Sequence, residues 1–272
     1  PATTEIYALS LHDALPISNF WRGMTDNDFG NGFPARAAYW RNVPEKLVLK
    51  ESNTRSISKH EFQIKNIYDL PGNAGELQMQ YTITANGELY LQQNLKLNQS
   101  IDLPELPKWG LSMELKTDFD DVTWYGRGPN ENYWDRKTGS RFGIYQSDPR
   151  SLYEPYIRPQ ENGNRTDVRW AALRNDRVGV LISGFPDFDF SALNYREFDF
   201  DQPDKKKNKH TCHISPGDYV VVDMDFRQTG VAGDDSWWSR AHPEYTLYPG
   251  DYCYAVRMAP ISKKQTDLNP VY

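Results

Sequence analysis

The sequence predicts an all-β fold, a large antiparallel β-sandwich, from three observations. Apolar and polar residues alternate with a period of two over much of the chain, as expected for strands with one buried face. Aromatic residues make up 14% of the 272 residues, and aromatic side chains favour strands. The alternating segments are separated by polar loops, without a fixed repeat or a Pro-rich linker, which favours a single domain.

The clearest element is a β-hairpin from Glu76 to Asn98, where the alternation runs on both sides of Asn86-Gly87. Asn-Gly favours a type I′ turn, so we expect that turn here. The only helical candidate is Pro34 to Leu47, which a second proline interrupts. The remaining predicted strands lie in Trp109 to Lys116, in Val168 to Gly184 (two strands around Asn175-Asp176), in Asp218 to Gln228 and in Asp251 to Pro260.

Composition and charge disfavour several classes of function. The formal net charge is −6, whereas nucleic-acid binding requires a basic face. The one basic cluster, Asp204 to His210, is expected to be a solvated loop. No apolar run reaches the length of about 20 residues that a membrane span requires. Cys212 and Cys253 are too few for a disulfide framework or a Cys-rich zinc site, and the sequence leaves open whether they pair.

The first 17 residues are expected to be foreign to the protein. They lack the basic start and unbroken apolar stretch of a signal peptide, because two polar residues and Pro16 interrupt them. Codons can be chosen for Leu9 to Ile17 that resemble a common sequencing adapter. We therefore expect residues 1–17 to be translated adapter and residues 18–272 to form one domain, truncated at its N-terminal side. A disordered natural N-terminus is the alternative.

The first motif, Asn19 to Gly32 (NFWRGMTDNDFGNG), combines acidic residues with glycines. Asp26 and Asp28 raise the possibility of calcium binding. The EF-hand pattern fails, because Gly30 stands at its fifth position and Ala37 replaces the glutamate at its twelfth. Two interpretations remain: a Gly-rich loop held by Asx turns, or a loop that takes part in a ligand site.

The second motif, Trp124 to Gly139 (WYGRGPNENYWDRKTG), has two glycines but continues with Pro129, so it does not form a dinucleotide-binding fingerprint. Its neighbour, Pro155 to Trp170, alternates in charge, as expected at a domain or subunit interface held by charge-assisted hydrogen bonds. Glu131 and Glu161 are formal candidates for a glycosidase carboxylate pair, although structural ion pairing is the commoner role. The charged residues of the neighbouring segment are Arg158, Glu161, Arg165, Asp167 and Arg169.

The third motif, Gly230 to Tyr245 (GVAGDDSWWSRAHPEY), places two tryptophans after an acidic turn. Successive residues of an extended chain point in opposite directions, so one of Trp237 and Trp238 can face a ligand while the other packs inward. An exposed indole suits the C–H-rich face of galactose. The alternative is that both indoles lie in the core. His213 and His242 lack metal-ligand spacing.

In this order and separation, the motifs resemble the C-terminal domain of β-galactosidases, the small-chain domain of glycoside hydrolase family 2. The resemblance covers Asn19 to about Arg257 and rests on NFWRGMTDND, WYGRGPNENYWDRKTG, PYIRPQENGNRTDVRW and GDDSWW. One departure is Gly23-Met24, where the family often has Ala-Pro. The resemblance implies a supersandwich of the kind seen in galactose mutarotases. It also implies that strands preceding the first motif are missing, which predicts unpaired sheet edges.

The resemblance further implies a parent enzyme that hydrolyses terminal β-D-galactosides with retention. Its two catalytic glutamates, and most ligands of its magnesium and sodium ions, would lie on a barrel domain outside this chain. We therefore assign no catalytic residue and no metal ligand here, and expect the isolated chain to be inactive. The expected partners are a galactoside, the remaining domains of the enzyme and possible further copies of the chain. The compartment, bacterial cytoplasm or periplasm, stays open.

For individual residues, the resemblance implies that Trp237 forms an aromatic wall of the galactoside subsite. Trp238 and Asp235 are less certain members of that subsite. The segment with Asp28 and Gly30 matches a mobile loop at the mouth of the active site, in which Gly30 would serve as a hinge. The alternative function is a free-standing lectin-like sandwich that binds galactose through Trp237. A purely structural role at an oligomer interface is compatible with the enzyme hypothesis.

Overall fold

The computed structural model describes residues 16–201, 210–235, 237–262, 264, 265 and 268. Most of the basic cluster predicted at Asp204 to His210 and the first 15 residues lie outside this part of the chain. Within it, twelve strands join into one antiparallel sheet. The strands are β1 (Ile17–Asn19), β2 (Val48–Ser58), β3 (Glu61–Asp69), β4 (Gly75–Thr84), β5 (Leu89–Leu97), β6 (Lys108–Lys116), β7 (Asp121–Gly128), β8 (Arg141–Ser147), β9 (Arg165–Arg174), β10 (Val178–Leu193), β11 (Tyr219–Gln228) and β12 (Tyr252–Ser262).

The sheet branches at its longest strand. Its main order is β1-β6-β11-β10-β12-β5-β4-β3-β2. The first part of β10, Val178 to Phe185, pairs with β12, and the last part, Asp189 to Leu193, pairs with β11. On the β9 side of β10 the register shifts between Ser183 and Phe190. β9 continues the branch to β7, and β7 to β8. The prediction of an all-β antiparallel fold is therefore confirmed.

The α-helices are short, and three of the four that the structure describes precede β2. The helix predicted at Pro34 to Leu47 is divided into three turns, because proline is best accommodated in the first turn of a helix, and both of its prolines occupy such positions. The first motif contains a helix that the sequence did not predict. The helical elements are α1 (Asp26–Asn31), α2 (Phe33–Arg36), a 3₁₀ turn (Ala38–Asn42), α3 (Val43–Lys46) and α4 (Glu197–Phe200).

The β4–β5 hairpin is confirmed, but the predicted type I′ turn is wrong. The Thr84 N–H bonds the Glu88 carbonyl at 3.0 Å and the Gly87 N–H bonds the Thr84 carbonyl at 3.0 Å, which leaves a three-residue loop. A type I′ turn needs positive φ at both central residues. Gly87 has a φ of 85°, whereas Asn86 is not among the residues with positive φ.

The two faces of β11 show how the core and the polar interior are separated. Val220, Val222 and Met224 point into the hydrophobic core and are fully buried. On the opposite face, Val221 and Asp223 line a cavity that is completed by earlier segments of the chain, Glu161 to Asn162 and Ser191 to Phe200. This second face also carries Asp225, which is 2% exposed.

At the far end of the sheet, β2 is an edge strand that pairs with β3. Every residue of β2 is exposed. The exposed apolar residues of this hairpin include Val48, Leu49, Ile57 and Phe62. An exposed edge of this kind presents unpaired backbone groups to other chains.

Candidate functional site

The structure places the first and third motifs side by side. Gly30 lies in α1, and a β-carbon at this position would stand 2.8 Å from the carbonyl carbon of Trp237 and 2.9 Å from its Cα. From the same helix, Asn27 and Asn31 donate side-chain hydrogen bonds to the carbonyl oxygen of Ser239, at 3.4 and 3.2 Å. Helix α1 and the Trp237 loop therefore form one packed unit. Whether Gly30 also serves as a hinge stays a prediction.

Asp235 organises the Trp237 loop from within. One carboxylate oxygen accepts hydrogen bonds from the backbone N–H groups of Trp237 (2.9 Å), Trp238 (2.7 Å) and Ser239 (3.1 Å). The other oxygen accepts the Ser239 hydroxyl at 2.9 Å. These bonds, led by the one from Trp238, hold the pKa of Asp235 well below its usual range. Asp235 therefore shapes the backbone that presents both tryptophans.

Both indoles lie at the surface. The exposed fraction is 52% for Trp237 and 73% for Trp238. The alternative in which both pack in the core is therefore wrong, and the expectation that one of the two points inward is not met either. Two exposed aromatic rings leave apolar area available for contact. Their function as sugar-binding residues stays a prediction.

Asp28, by contrast, is buried and structurally engaged. Arg22 donates to both of its carboxylate oxygens, at 2.6 and 3.2 Å. Thr25 caps α1, donating its N–H to the Asp28 carboxylate and accepting the Asp28 N–H with its hydroxyl. A fully buried arginine that meets a carboxylate in this two-point geometry fixes the start of α1. Asp28 also lines a cavity of about 100 Å³ between α1, α2 and the segment that follows Trp237.

The second motif anchors the base of the Trp237 loop. Asp135 accepts the backbone N–H of Ala232 at 2.7 Å. The Trp134 ring contacts the Tyr245 ring at a centroid distance of 6.1 Å. The neighbouring charged segment binds back to the same motif, because Asp167 pairs with Arg127 at 2.5 Å. Within the described residues, these charged side chains therefore connect two segments of the same chain.

Glu131 and Glu161 lie in different environments. Glu131 accepts hydrogen bonds from the Tyr156 hydroxyl, from Arg136 at 2.6 Å and from the Gly163 N–H at 2.8 Å. With these bonds it has the structural role that is more usual for such a residue. Glu161 instead lines a second, narrow cavity, which we call the acidic cavity. Its lining residues are Glu161, Asn162, Ser191, Leu193, Tyr195, Glu197, Phe200, Val221 and Asp223.

A single buried lysine stands behind the acidic cavity. The Lys108 ammonium lies 3.0 Å from Asp223, 3.2 Å from Glu197 and 3.3 Å from Asp225. Lys108 is 1% exposed. Glu197 also accepts a 3.0 Å hydrogen bond from the Asn19 side chain, so the cluster connects β1, β6, β11 and α4.

Burial shifts the pKa values of the carboxyl groups in the cluster, and the neighbouring charges modify these shifts. Burial alone would lower the pKa of Lys108, but the three adjacent carboxylates raise it well above its usual range. Burial raises the pKa of Glu161 to about 7 and that of Glu197 to about 8, against the opposing effect of Lys108. Burial also raises the pKa of Asp225 well above its usual range. The folded cluster therefore retains protons near neutral pH.

The sequence analysis missed Lys108 and Glu197 as organising residues, and it identified Arg158 only as one of several charged residues at an expected interface. Lys108 precedes an alternating strand and resembles an ordinary polar flank. One signal was present: Asp223 and Asp225 alternate with buried residues of β11, yet both faces of this strand are covered. A charged residue on a strand covered on both faces requires a partner of opposite charge.

Further predictions concern metals, cysteines and membranes. In the described part of the chain, no group of three or more His, Cys, Asp or Glu side chains has an arrangement that could hold a metal ion, so we derive no metal-dependent step. Cys212 and Cys253 are both free and exposed. Among the described residues, no helix has the length and apolar character needed to cross a membrane.

Comparison with known proteins gives one family and several relatives. Residues 4–258 match the family model described as beta galactosidase small chain. The chain is 38% identical over 232 residues to a β-galactosidase of Priestia megaterium, and that match covers 85% of this chain. It is 34% identical over 235 residues to a β-galactosidase of Lactobacillus delbrueckii subsp. bulgaricus, with 86% of this chain covered. Each match spans 22% of the length of the relative.

Two solved structures to which the chain is similar are a galactose 1-epimerase and the galactosidase domain of an α-galactosidase-sucrose kinase. Galactose 1-epimerase from Lactobacillus acidophilus matches at a TM-score of 0.45 with 9% identity, covering 78% of this chain and 66% of the epimerase. The galactosidase domain of an α-galactosidase-sucrose kinase matches at a TM-score of 0.42 with 10% identity, covering 79% of this chain and 28% of that one.

Proposed function

Because the chain belongs to the β-galactosidase small-chain family, we propose that it is the part of a larger β-galactosidase that completes the galactoside site. The enzyme would hydrolyse terminal β-D-galactosides, and this chain would supply binding surface rather than catalytic groups. The observation that carries the proposal is the packed unit of α1 and the Trp237 loop, which presents an exposed indole. Galactose offers a C–H-rich face that stacks on such a ring.

The remaining domains of the enzyme would cover the face around α1. Four large apolar side chains are exposed on segments that contact α1 or the Trp237 loop. These are Ile157, Trp237, Trp238 and Tyr248. Large exposed apolar side chains on neighbouring segments are typical of an interaction surface. The relatives are more than four times as long as the matched segment, so ample chain is available to cover it.

The catalytic glutamates belong, in this proposal, to those other domains. Glu131 supports this assignment, because three donors already occupy its carboxylate. Metal ions of the parent enzyme would likewise bind outside the described residues. Association into homo-oligomers is part of the same proposal, and the exposed β2 edge favours it. Sedimentation of the assembled enzyme would measure this association.

A chimera tests the proposal. The matching segment of the Priestia megaterium β-galactosidase is replaced by residues 18–272 of this chain, and hydrolysis of a nitrophenyl β-galactoside is measured. We expect an active chimera, and we expect Trp237→Ala to lower kcat/KM about tenfold to a hundredfold, because stacking of one aromatic ring contributes about 1.5–3 kcal/mol. The isolated chain should show no hydrolysis.

Two comparisons make the outcome decisive. Tyr90→Ala removes an exposed aromatic side chain on β5 and should leave kcat/KM unchanged. Trp238→Ala removes the neighbouring indole and should have a smaller effect than Trp237→Ala. A folded chimera in which Trp237→Ala and Tyr90→Ala behave alike would contradict the proposed contact. Tight galactose binding by the isolated chain would instead favour the lectin-like function.

A further inference from the structure

Arg158 contacts α1 at two points. Its guanidinium donates to a carboxylate oxygen of Asp26 at 2.6 Å and lies over the Phe29 ring, 3.9 Å from the ring centroid. The Arg158 side chain is 12% exposed, although it belongs to a surface segment. A long cationic side chain that is largely buried and contacts α1 at both Asp26 and Phe29 restricts where that helix can lie.

The segment that carries Arg158 makes a third contact with the same helix. The Gln160 side-chain oxygen accepts the backbone N–H of Asp26 at 3.0 Å. Pro159 is buried between these two residues, and its ring restricts the backbone. The start of α1 is therefore held from outside by Arg158 and Gln160, and from inside by Arg22 through Asp28.

A different face of α1 contacts the Trp237 loop. Gly30 packs against the Trp237 backbone, and Asn27 and Asn31 bond the Ser239 carbonyl. A shift of α1 would therefore displace the Trp237 backbone, because no free space separates it from Gly30. Asp135 of the second motif contacts this loop at its base, through the Ala232 N–H.

We infer that Arg158 is a positioning residue for Trp237, acting through the stacked Phe29 and the fixed helix α1. The inference rests on the proposed function in one respect, that Trp237 faces the galactoside. It does not rest on the ion pair alone, because the Asp26 side chain is 60% exposed and such pairs contribute little. The planar guanidinium on the ring carries the effect, so lysine does not replace arginine here.

The experiment uses the full chain labelled with 5-fluorotryptophan and read by ¹⁹F NMR. Trp237→Phe identifies the Trp237 resonance among those of the eight tryptophans. We expect Arg158→Ala to shift or broaden the Trp237 resonance and leave that of the buried Trp109 unchanged. Hydrogen exchange of residues 26–31 and 237–239 should rise about tenfold. Arg177→Ala is the matched control, since Arg177 is an exposed arginine for which no side-chain contact is found in the described structure.

The second variant, Arg158→Lys, keeps the charge and decides the result if Arg158→Ala does not fold. It should reproduce the Trp237 shift with an unchanged unfolding midpoint. A Trp237 resonance that stays in place in Arg158→Lys, as in Arg177→Ala, overturns the inference. The outcome is independent of catalysis: an inactive chimera with a shifted Trp237 resonance rejects the proposed function and keeps Arg158 as a positioning residue.

Discussion

Gly30 and Trp237 are in direct backbone contact, and the contact leaves no room for a side chain at residue 30. A β-carbon there would overlap the Trp237 carbonyl oxygen and lie 2.8 Å from the carbonyl carbon. Gly30 is helical, and no positive φ is recorded for it, so conformational freedom is not what requires glycine. The requirement is steric, and it joins two segments that are more than 200 positions apart in the sequence.

Gly30→Ala tests this requirement because two effects oppose each other. Helix propensity alone favours alanine by about 1 kcal/mol. The overlap with backbone atoms of Trp237, which cannot rotate away, costs about 1–3 kcal/mol. We therefore expect net destabilisation in urea unfolding and a changed Trp237 fluorescence spectrum. Gly139→Ala is the control, since a β-carbon at residue 139 meets nothing within 4 Å. Stabilisation by Gly30→Ala would show that the loop moves away freely.

Part of the fold could be predicted, because apolar and polar residues alternate along a strand that has one buried face. The hairpin β4–β5 is such a case, and its buried positions alternate along β4. Strand β2 could not be predicted from alternation. All of its residues are exposed, so neither of its faces requires apolar side chains. The turn type was missed because Asn86-Gly87 suits two kinds of hairpin loop, and the register of the flanking strands decides between them.

The site was predictable as a set of segments but not as a set of contacts. The motifs that contain Asp28, Gly30 and Trp237 were all identified, and the structure brings them together. Nothing in the local sequence indicates that Arg158 reaches Asp26 across 132 positions. Long-range ion pairs depend on how the strands are ordered in space, and the order of a twelve-stranded sheet is not encoded in any one segment.

Lys108→Met is expected to cost about 3–5 kcal/mol of unfolding free energy, because the carboxyl groups of Asp223, Glu197 and Asp225 lose the ammonium group that they share as ion-pair and hydrogen-bond partner. Lys50→Met is the matched control. Lys50 also contacts two carboxylates, Asp69 and Glu76, but its side chain is 51% exposed. Urea unfolding at pH 7 should therefore show a large loss for Lys108→Met and almost none for Lys50→Met. Equal losses would mean that burial does not strengthen the Lys108 cluster.

The pKa values of the acidic cavity predict that stability falls as pH rises. An unfolded glutamate titrates near pH 4.3, whereas the folded pKa is about 7 for Glu161 and about 8 for Glu197. Between these values the folded protein binds more protons than the unfolded chain, so unfolding becomes easier with increasing pH. The urea midpoint should therefore decrease from pH 5 to pH 8.

Glu197→Gln identifies the source of this slope. The variant removes one titrating carboxyl, so its midpoint should decline less between pH 5 and pH 8 than that of the unsubstituted chain. Glu45→Gln, an exposed position in α3, should leave the decline unchanged. A slope that Glu197→Gln does not alter would show that Glu197 does not contribute to the pH dependence.

Asp235 predicts the opposite pH response, confined to the Trp237 loop. Because backbone N–H groups hold its folded pKa below the unfolded value, its stabilising effect is complete above about pH 4 and is lost as pH falls through the folded pKa. Asp235→Ala should remove the acceptor at every pH and increase hydrogen exchange of Trp237, Trp238 and Ser239. Asp235→Asn keeps one oxygen acceptor without the charge, so its protection factors, which correct for the intrinsic pH dependence of exchange, should be intermediate and independent of pH below 4. Exchange at these three amides that is identical in all variants would show that other contacts, such as those from α1, suffice to hold the loop.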